Sequence, residues 1–541
     1  MTYDQNTIAT GGSGFGFLNI ILAIENGYIS QTDGVSHLHT ALDFLASADR
    51  FHGAWPHWMD GNTAGVIPFS EFDDGGDLVE TALLSQSLIC IREYFKNGNT
   101  QEQILAQKAD DLWRGVEWNW YTKGENVLYW HWSPNHNWQM NLQIRGYNEA
   151  LITYLLAVSS PEYPIDTQIY HQGWARDGDI VSSASQYDIP VVFNHNGAQG
   201  TVGPLFWAHY SYLGLDPRGL EDTYANYWDV VKNHTEIIHE HAVQNPNQFG
   251  GYSASCWGLT ASYSRNTDGT TGYGAHQPNN DLGIISPTAA LSSMVYTPQK
   301  SLDFLRYLYE DTQGEYIGLF GPFDAISPHY SWKTERYLAI DQGTIGPMLE
   351  NYKTQLFWNL FMNAPEIQQG LQSLGFTSSE HDLSNTSENT SIEKIQLFPN
   401  PASNILNVYT SADIIGSQYR ISDNLGRVVL VDAIQSKNTA IDISGLPRGV
   451  YYITIEKQIR KHKIIDITLD DGKEVLALID TVERDAVTRR IHHVTFRIVV
   501  KGQKVNAEVP VHIIDDAPAT RAGMILVTVL DSIQVEAIPS K

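Results

Sequence analysis

From Gly14 to about Phe376 the apolar positions recur with helical period, in segments near 16–27, 33–48, 77–96, 102–121, 146–159, 199–214, 221–244, 286–296, 298–310 and 342–362. Long connections dense in Gly, Pro, Asn and Trp join these segments, where a helical scaffold tends to carry its binding residues. The pattern predicts a large, mainly α domain over residues 1–376, a helical toroid with a loop-lined cleft. It stops at 377–393, TSSEHDLSNTSENTSIE, which is polar, aperiodic and predicted to be a linker. Beyond it, alternating runs such as ILNVYT, YRISD, RVVLVD, TAIDISG and VYYITIE predict a small β-sandwich over 394–465. A further all-β segment, 466–541, follows through ITLDDGKEVLALIDTVERD, HHVTFRIVV and VNAEVPVHII, with no Gly, Ser or Pro spacer at the join.

Acidic residues cluster at two of the predicted helix starts. In SEFDDGGDLVE, residues 70–80, Asp73, Asp77 and Glu80 have the i, i+4, i+7 spacing of one helix face, just ahead of the apolar run TALLSQSLICIREYF. Gly75 and Gly76 could delay the helix until Asp77 and break that spacing. Glu149, in IRGYNEALITYLLAV, stands near the start of another apolar helix. Both sets also fit ordinary acidic first turns, which the helix dipole favours. If they face one cleft, they supply a hydrolase with its two acids, one protonated and one ionised.

The 541 residues exceed one average domain, and 61 acidic against 34 basic residues give a net charge of −27, which opposes nucleic acid and anionic lipid. A neutral substrate fits better. Fourteen Trp and 28 Tyr suit the alternating CH and OH faces of sugars, although such rings also fill cores. They crowd the loops VEWNWYT, LYWHWSPNHNWQ, LFWAHYSYLG and ASCWGLTAS, making Trp130, Trp132, Trp138, His209 and Trp257 candidate sugar contacts. Cys90 and Cys256 lie in apolar surroundings, which excludes a disulfide scaffold. Neither HEH at 239–241 nor HWSPNH at 131–136 closes a metal set, so no catalytic metal and no cofactor are expected. GGSGFGF at 11–17 has no strand before it and is better explained by glycine packing at a crowded helix start than by phosphate binding. A nucleophilic serine elbow and an apolar run long enough to span a membrane are both absent.

DQNTIATGGSGFGF, FSEFDDGGDLVETALL, GYNEALITYLLAVSSPEYPI, GPLFWAHYSYLGLDPRGLED, SCWGLTAS, SPTAALSSM and LAIDQGTIGPMLENY, spread in order over residues 3–376, resemble the bacterial glucoamylase-like domain of glycoside hydrolase family 144. That resemblance implies an (α/α)6 barrel and hydrolysis of β-1,2-glucan with inversion, either internally or by release of sophorose. It places acidic cleft residues on Asp73, Asp77, Glu80 and Glu149, acting jointly, with proton transfer able to pass through water or a substrate hydroxyl. Asp341, within LAIDQGTIG, joins the candidate substrate contacts. Such a barrel needs about twelve helices and family members carry helical sequence ahead of DQNTIATGG, so the chain is expected to begin late, without a first helix pair and a signal peptide.

Residues 393–465, with LFPNPASNILNV, ISDNLGRVV, DISGLPRGVYYITI and RKHK, resemble the C-terminal sorting domain of type IX secretion substrates, which implies export to the cell surface or medium through that machinery. Residues 466–541 resemble the bacterial ribosomal protein of the twenty-fifth large-subunit type, which binds 5S ribosomal RNA. The first half of its RNA-binding barrel is missing, so the tail is expected to be a fusion artefact, and Arg484, Arg489, Arg490 and His492 to be a solvated hairpin rather than phosphate contacts. The leading expectation is a monomeric exported glycoside hydrolase. The rivals are a noncatalytic glycan-binding protein with an incomplete barrel, and an RNA-binding tail.

Overall fold

The computed structural model describes residues 6–195, 199–381 and 383, then the segments 396–398, 405–409, 417–423, 427–436, 438–447, 451–456, 464–468, 474–484, 491–499, 505–510 and 532–537. The chain divides into two compact units, Met1–Glu388 and Asn389–Lys541.

Helices dominate the first unit: α1 (Thr10–Glu25), α2 (Gln31–Ser47), α3 (Leu78–Phe95), α4 (Thr100–Arg114), α5 (Leu151–Ser159), α6 (Thr167–Ile169), α7 (Tyr227–Gln244), α8 (Pro287–Ser292), α9 (Pro298–Arg306), α10 (Ala339–Gln342), α11 (Ile345–Thr354), α12 (Leu356–Met362) and α13 (Pro365–Ser373). A helix buried on every side belongs in the interior. That is the place of α3, which packs against α1, α4, α5 and α12 and buries even Ser85, Gln86 and Ser87. The Gln86 amide meets the cost of burial with two bonds, donating to the Tyr210 carbonyl at 3.0 Å and accepting from the Gly214 N–H at 2.7 Å. A three-stranded antiparallel sheet of β1 (Thr7–Ala9), β2 (Trp58–Asp60) and β3 (Val66–Ile67) leads into α1 and seats the neighbouring His57.

α1 starts at Thr10 rather than near residue 16, because Gly11, Gly12 and Gly14 carry no apolar signal yet sit buried against other elements. A Cβ on Gly14 would stand 2.8 Å from Leu84 Cα, so α1 and α3 meet backbone to backbone. Gly14→Ala is therefore expected to cost about 1–3 kcal/mol by overpacking, read as a lower denaturant midpoint at unchanged m-value. The expected helix at 102–121 ends at Arg114. Segment 199–214 holds two 3₁₀ turns, Leu205–Ala208 and Tyr210–Tyr212, in place of a long helix, with Tyr210 and Tyr212 buried in the core and Phe206 and Trp207 half-buried against it. Segment 342–362 breaks at Gln355, whose φ of 61° is left-handed.

The boundary at 377 also moves. Thr377–Ser378 pairs with Leu220–Glu221, Ser379 N–H donates to the Gly219 carbonyl at 3.1 Å, and His381 Nε2 lies 2.9 Å from Asp216 Oδ2. The first residues of the expected linker thus belong to the helical unit, and 384–393 lie outside the described residues.

In the second unit, Ile405–Tyr409 pairs antiparallel with Gln396–Phe398 and Asn438–Asp442, and Gln418–Asp423 pairs with Val428–Ala433 and Tyr451–Glu456. Val408, Tyr419, Ile421, Ile434 and Ile441, drawn from both sheets, share a small core. Glu474–Arg484 pairs with Ile464–Thr468 and Ile491–Val499, and Val505–Pro510 with Ser532–Ala537. Arg489 and Arg490 lie outside the described residues. Among the described residues no helix is long and apolar enough to cross a membrane.

Candidate active site

Asp77 is the anchor of the site. It ends β4 (Gly76–Asp77), which pairs with β5 (His131–Trp132), and it is the N-cap of α3. Asp77 Oδ1 accepts from the N–H groups of Val79 at 3.0 Å and Glu80 at 2.9 Å, satisfying two of the amides that open a helix. Oδ2 lies 2.9 Å from His57 Nδ1. The helix therefore begins one residue after Asp77, and Asp73 belongs to the preceding loop. The expected single helical face does not form, and the acids are instead gathered by a cap, a loop and a strand pair. The two glycines fit tightly here: a Cβ on Gly75 would stand 2.2 Å from the Trp132 carbonyl oxygen, and one on Gly76 would stand 2.1 Å from the Tyr121 hydroxyl.

His57 and His131 flank these carboxylates; His57 drew no attention in the sequence, and His131 did so only as part of HWSPNH. His57 stacks on Phe69 with ring centroids 4.0 Å apart. Burial alone would lower its imidazole, but the Glu80 charge, the Asp77 bond and Asp73 outweigh it and hold the group at about 9. His57 is thus a cation at neutral pH. His131, fully enclosed, places Nε2 3.0 Å from Asp73 Oδ1. His57, Asp73 and Asp77 bring potential ligand atoms within 4.8 Å of one another.

Glu80 and Glu149 complete the acidic set. Glu80 Oε2 accepts from the Gly11 N–H at 2.7 Å, which uses the glycine-rich start of α1 as an oxyanion partner. Burial raises its carboxyl, the His57 charge opposes that rise, and Asp77 adds to it. Glu149 lies in the turn just before α5 rather than within the expected helix. Ser211, in the second 3₁₀ turn, fixes that turn by donating to the Glu149 carbonyl and accepting from the Ile152 N–H at 3.1 Å. Burial, joined by the charges of Glu80 and Asp77, pushes the Glu149 carboxyl up to about 8. Glu149 feels the charges of Glu80 and Asp77, so the two acidic helix starts do share one electrostatic site.

The candidate sugar contacts separate into two groups. Trp132 and Trp138 are half-buried and meet the exposed Trp120, at 6.0 Å edge-on and 6.3 Å stacked, with His52 stacked on Trp120 at 3.6 Å. Trp130, also half-buried, accepts from Leu78 N–H through its carbonyl at 2.8 Å, beside the start of α3. His209 and Trp257 are enclosed in the core. His209 faces Ser293 at 3.0 Å and is held neutral by burial, at about 3, while the Trp257 ring is fully covered. Neither has a free face for a sugar, and nothing in their sequence context separates them from the Trp residues nearer the acids. Asp341, on α10, is also enclosed, with Tyr210 donating to Oδ1 at 3.0 Å. Tyr273, which drew no attention in the sequence, leaves 61% of its surface exposed while its hydroxyl senses Asp341, Asp324, Glu80 and Glu149. The hairpin of Ala261–Arg265 and Thr271–Ala275 therefore carries an aromatic ring beside the acids.

Residues 141–365 match the family described as "Putative glucoamylase", and residues 396–467 match the secretion system C-terminal sorting domain. The chain is 38% identical over 393 residues to an exo β-1,2-glucooligosaccharide sophorohydrolase from Parabacteroides distasonis, over 68% of this chain and 53% of that protein, so it spans about half that relative's length. The structure of an endo-β-1,2-glucanase from Chitinophaga pinensis, in complex with sophorotriose and glucose, superposes with a TM-score of 0.67 at 51% identity, covering 70% of this chain and 89% of the other. A Bacteroides caccae protein described as a glucoamylase gives the same TM-score at 48% identity, over 70% and 90% of the two chains. Over 73 residues, 13% of this chain and 33% of the relative, the chain is 41% identical to large ribosomal subunit protein bL25 from Psychrobacter arcticus. The long matches carry the conclusion: this chain belongs to the glucoamylase-like family of β-1,2-glucanases, glycoside hydrolase family 144, and carries a type IX C-terminal sorting domain.

Proposed function

We propose that the chain is an exported glycoside hydrolase that cleaves β-1,2-glucan or sophoro-oligosaccharides with inversion, in an (α/α)6 barrel. Glu149 is the general acid. A carboxyl held at about 8 keeps its proton at neutral pH and can deliver it to the glycosidic oxygen as that bond breaks. The carboxylates at 73–80 take the proton of the attacking water on the opposite face of the sugar. Asp77 orients more than it reacts, because its oxygens already hold two amides and His57. Cationic His57 opposes the rise that burial imposes on the Glu80 carboxyl. Trp120, Trp132, Trp138 and Tyr273 are the sugar-facing rings. The C-terminal sheets form the β-sandwich that the type IX machinery reads, and the enzyme works as a monomer at the cell surface or in the medium.

The observation that carries this reading is the raised Glu149 carboxyl beside Asp77 and Glu80, in a chain 51% identical to an endo-β-1,2-glucanase. The general acid must be protonated, so kcat/KM is expected to be flat through neutral pH and to fall about tenfold per pH unit above about 8 as Glu149 ionises. A pH profile on linear β-1,2-glucan checks this. A profile that falls instead on the acidic side of neutral, with no alkaline limb, would contradict the assignment of Glu149.

A further inference from the structure

Two enclosed carboxyls outside the reacting set, Asp324 in the segment 323–325 and Asp341 on α10, lie within hydrogen-bonding reach of each other. One oxygen of each has a donor. Tyr263 N–H donates to Asp324 Oδ2 at 2.7 Å, and the Tyr210 hydroxyl donates to Asp341 Oδ1 at 3.0 Å. The other two oxygens, Asp324 Oδ1 and Asp341 Oδ2, are buried with no donor from the protein. Two enclosed acceptors left unmatched side by side are costly, and one proton between them answers both.

We propose that Asp324 and Asp341 share a single proton between Asp324 Oδ1 and Asp341 Oδ2, and that Asp324, through the N–H of Tyr263 that it accepts, is a positioning residue for the active site. The proton resides on Asp341, and the charge resides on Asp324, which has the backbone N–H of Tyr263 to stabilise it. Two consequences follow for the site, and they rest on the hydrolase reading given above. The pair brings one negative charge rather than two to a region already crowded by Glu80 and Glu149. It also ties together three elements: the Tyr210 turn, α10, and the hairpin on which Tyr263 stands directly opposite Tyr273.

The electrostatics agree with this geometry. Burial raises both carboxyls, Asp324 to about 6 and Asp341 well above the carboxylate range, with the Asp324 charge adding to the rise of Asp341. The groups facing the pair are the phenols of Tyr210 and Tyr273, both pushed upward, with Glu80 and Glu149 beyond them. Arg336 contributes its backbone carbonyl, which accepts from Asp324 N–H at 3.0 Å, and lays its guanidinium over the Tyr263 ring at 5.2 Å. A raised carboxyl contributes stability that is present below its unfolded value and lost as pH rises through the folded one. The pair should therefore make the melting temperature fall as pH rises through about 6 and beyond.

The experiment is difference infrared spectroscopy at neutral pH on the full chain, wild type against Asp341→Asn and against Asp324→Asn. The C=O stretch of a protonated carboxyl is expected in both differences, because either substitution abolishes the shared acid. Its absence from the Asp324→Asn difference would overturn the sharing, whether or not the chain turns over glucan. In Asp341→Asn the amide still donates to Asp324, so the fall of the melting temperature above pH 6 should flatten; an unchanged slope counts against the pair.

The positioning claim has its own readout. Asp324→Asn keeps the bond from Tyr263 N–H and should hold KM near the wild-type value, while Asp324→Ala loses it. The alanine variant should raise KM by about tenfold, the worth of a hydrogen bond to a charged group. Equal KM values in the two variants would overturn that part. If wild type shows no turnover, the hydrolase reading fails, and the infrared result still decides the shared proton.

Discussion

Glu149→Gln lowers kcat on linear β-1,2-glucan by about 10²- to 10⁴-fold, the contribution of a positioned general acid, with little change in KM. Gln keeps the shape of the side chain and remains neutral, as the carboxyl is at pH 7, so the fold should be unaffected there. The stabilities of the two proteins part as pH rises above the ordinary carboxyl value. The folded wild type holds its Glu149 proton up to about 8, while the unfolded chain releases it at the ordinary carboxyl value. Wild type therefore loses stability as pH rises through that interval, and the variant does not. The melting temperature of Glu149→Gln minus that of wild type should grow from near zero at acidic pH and level off above pH 8. A difference independent of pH would mean that Glu149 ionises normally and is not the acid.

Substitutions at Asp77 should have the largest effect on stability, and two of them separate its two duties. Asp77→Ala removes the N-cap of α3 and strands a positively charged His57 without its partner at 2.9 Å. Losing a cap costs about 1 kcal/mol, and breaking a buried ion pair costs about 3–5 kcal/mol. The His57 side chain keeps 23% exposure, which puts the expected total near the lower end of that range, at about 3 kcal/mol. Asp77→Asn caps a helix about as well as Asp but brings no charge to His57, so only the share of the cap, about 1 kcal/mol, should return. Its turnover should still fall by about 10²-fold, because the neighbouring proton balance loses one charge. Chemical denaturation and steady-state kinetics on the same two proteins check both statements. If Asn restores activity as well as the cap's share of stability, Asp77 is a structural cap and nothing more.

The helices rich in Leu, Ile and Val were legible because period 3.6 survives wherever one face or all faces are apolar, as in α3 and α7. The 3₁₀ turns at 205–212 were misread as part of a helix because Phe206, Trp207, Tyr210 and Tyr212 are apolar at helical spacing, yet tertiary bonds such as Tyr210 to Asp341 bend the backbone away. The glycines at 11–14 concealed the start of α1 for the opposite reason: their packing value lies in the side chain they lack. Of the acids, the residues Asp73, Asp77, Glu80 and Glu149 could be named from the sequence, but not how they are held. A cap, a β-bridge and a serine from residue 211 position them, and all three depend on contacts distant in the chain. His57 and Asp324 were invisible for the same reason, since a lone histidine or aspartate in a loop signals nothing until its partner is in place. Trp257 and His209 show the converse. Aromatic density marks the region of a sugar site without distinguishing the rings that face the cleft from those beneath it.

The central claim is that Glu149 and the carboxylates at 73–80 hydrolyse a β-1,2 link by direct displacement with water. Proton NMR during digestion of linear β-1,2-glucan by the full chain tests it, by following the anomeric signal of each newly formed reducing end before mutarotation. The account predicts that the α-anomer appears first, at a rate that Glu149→Gln abolishes. Initial release of the β-anomer, or no release of reducing ends from an intact, folded chain, would contradict it.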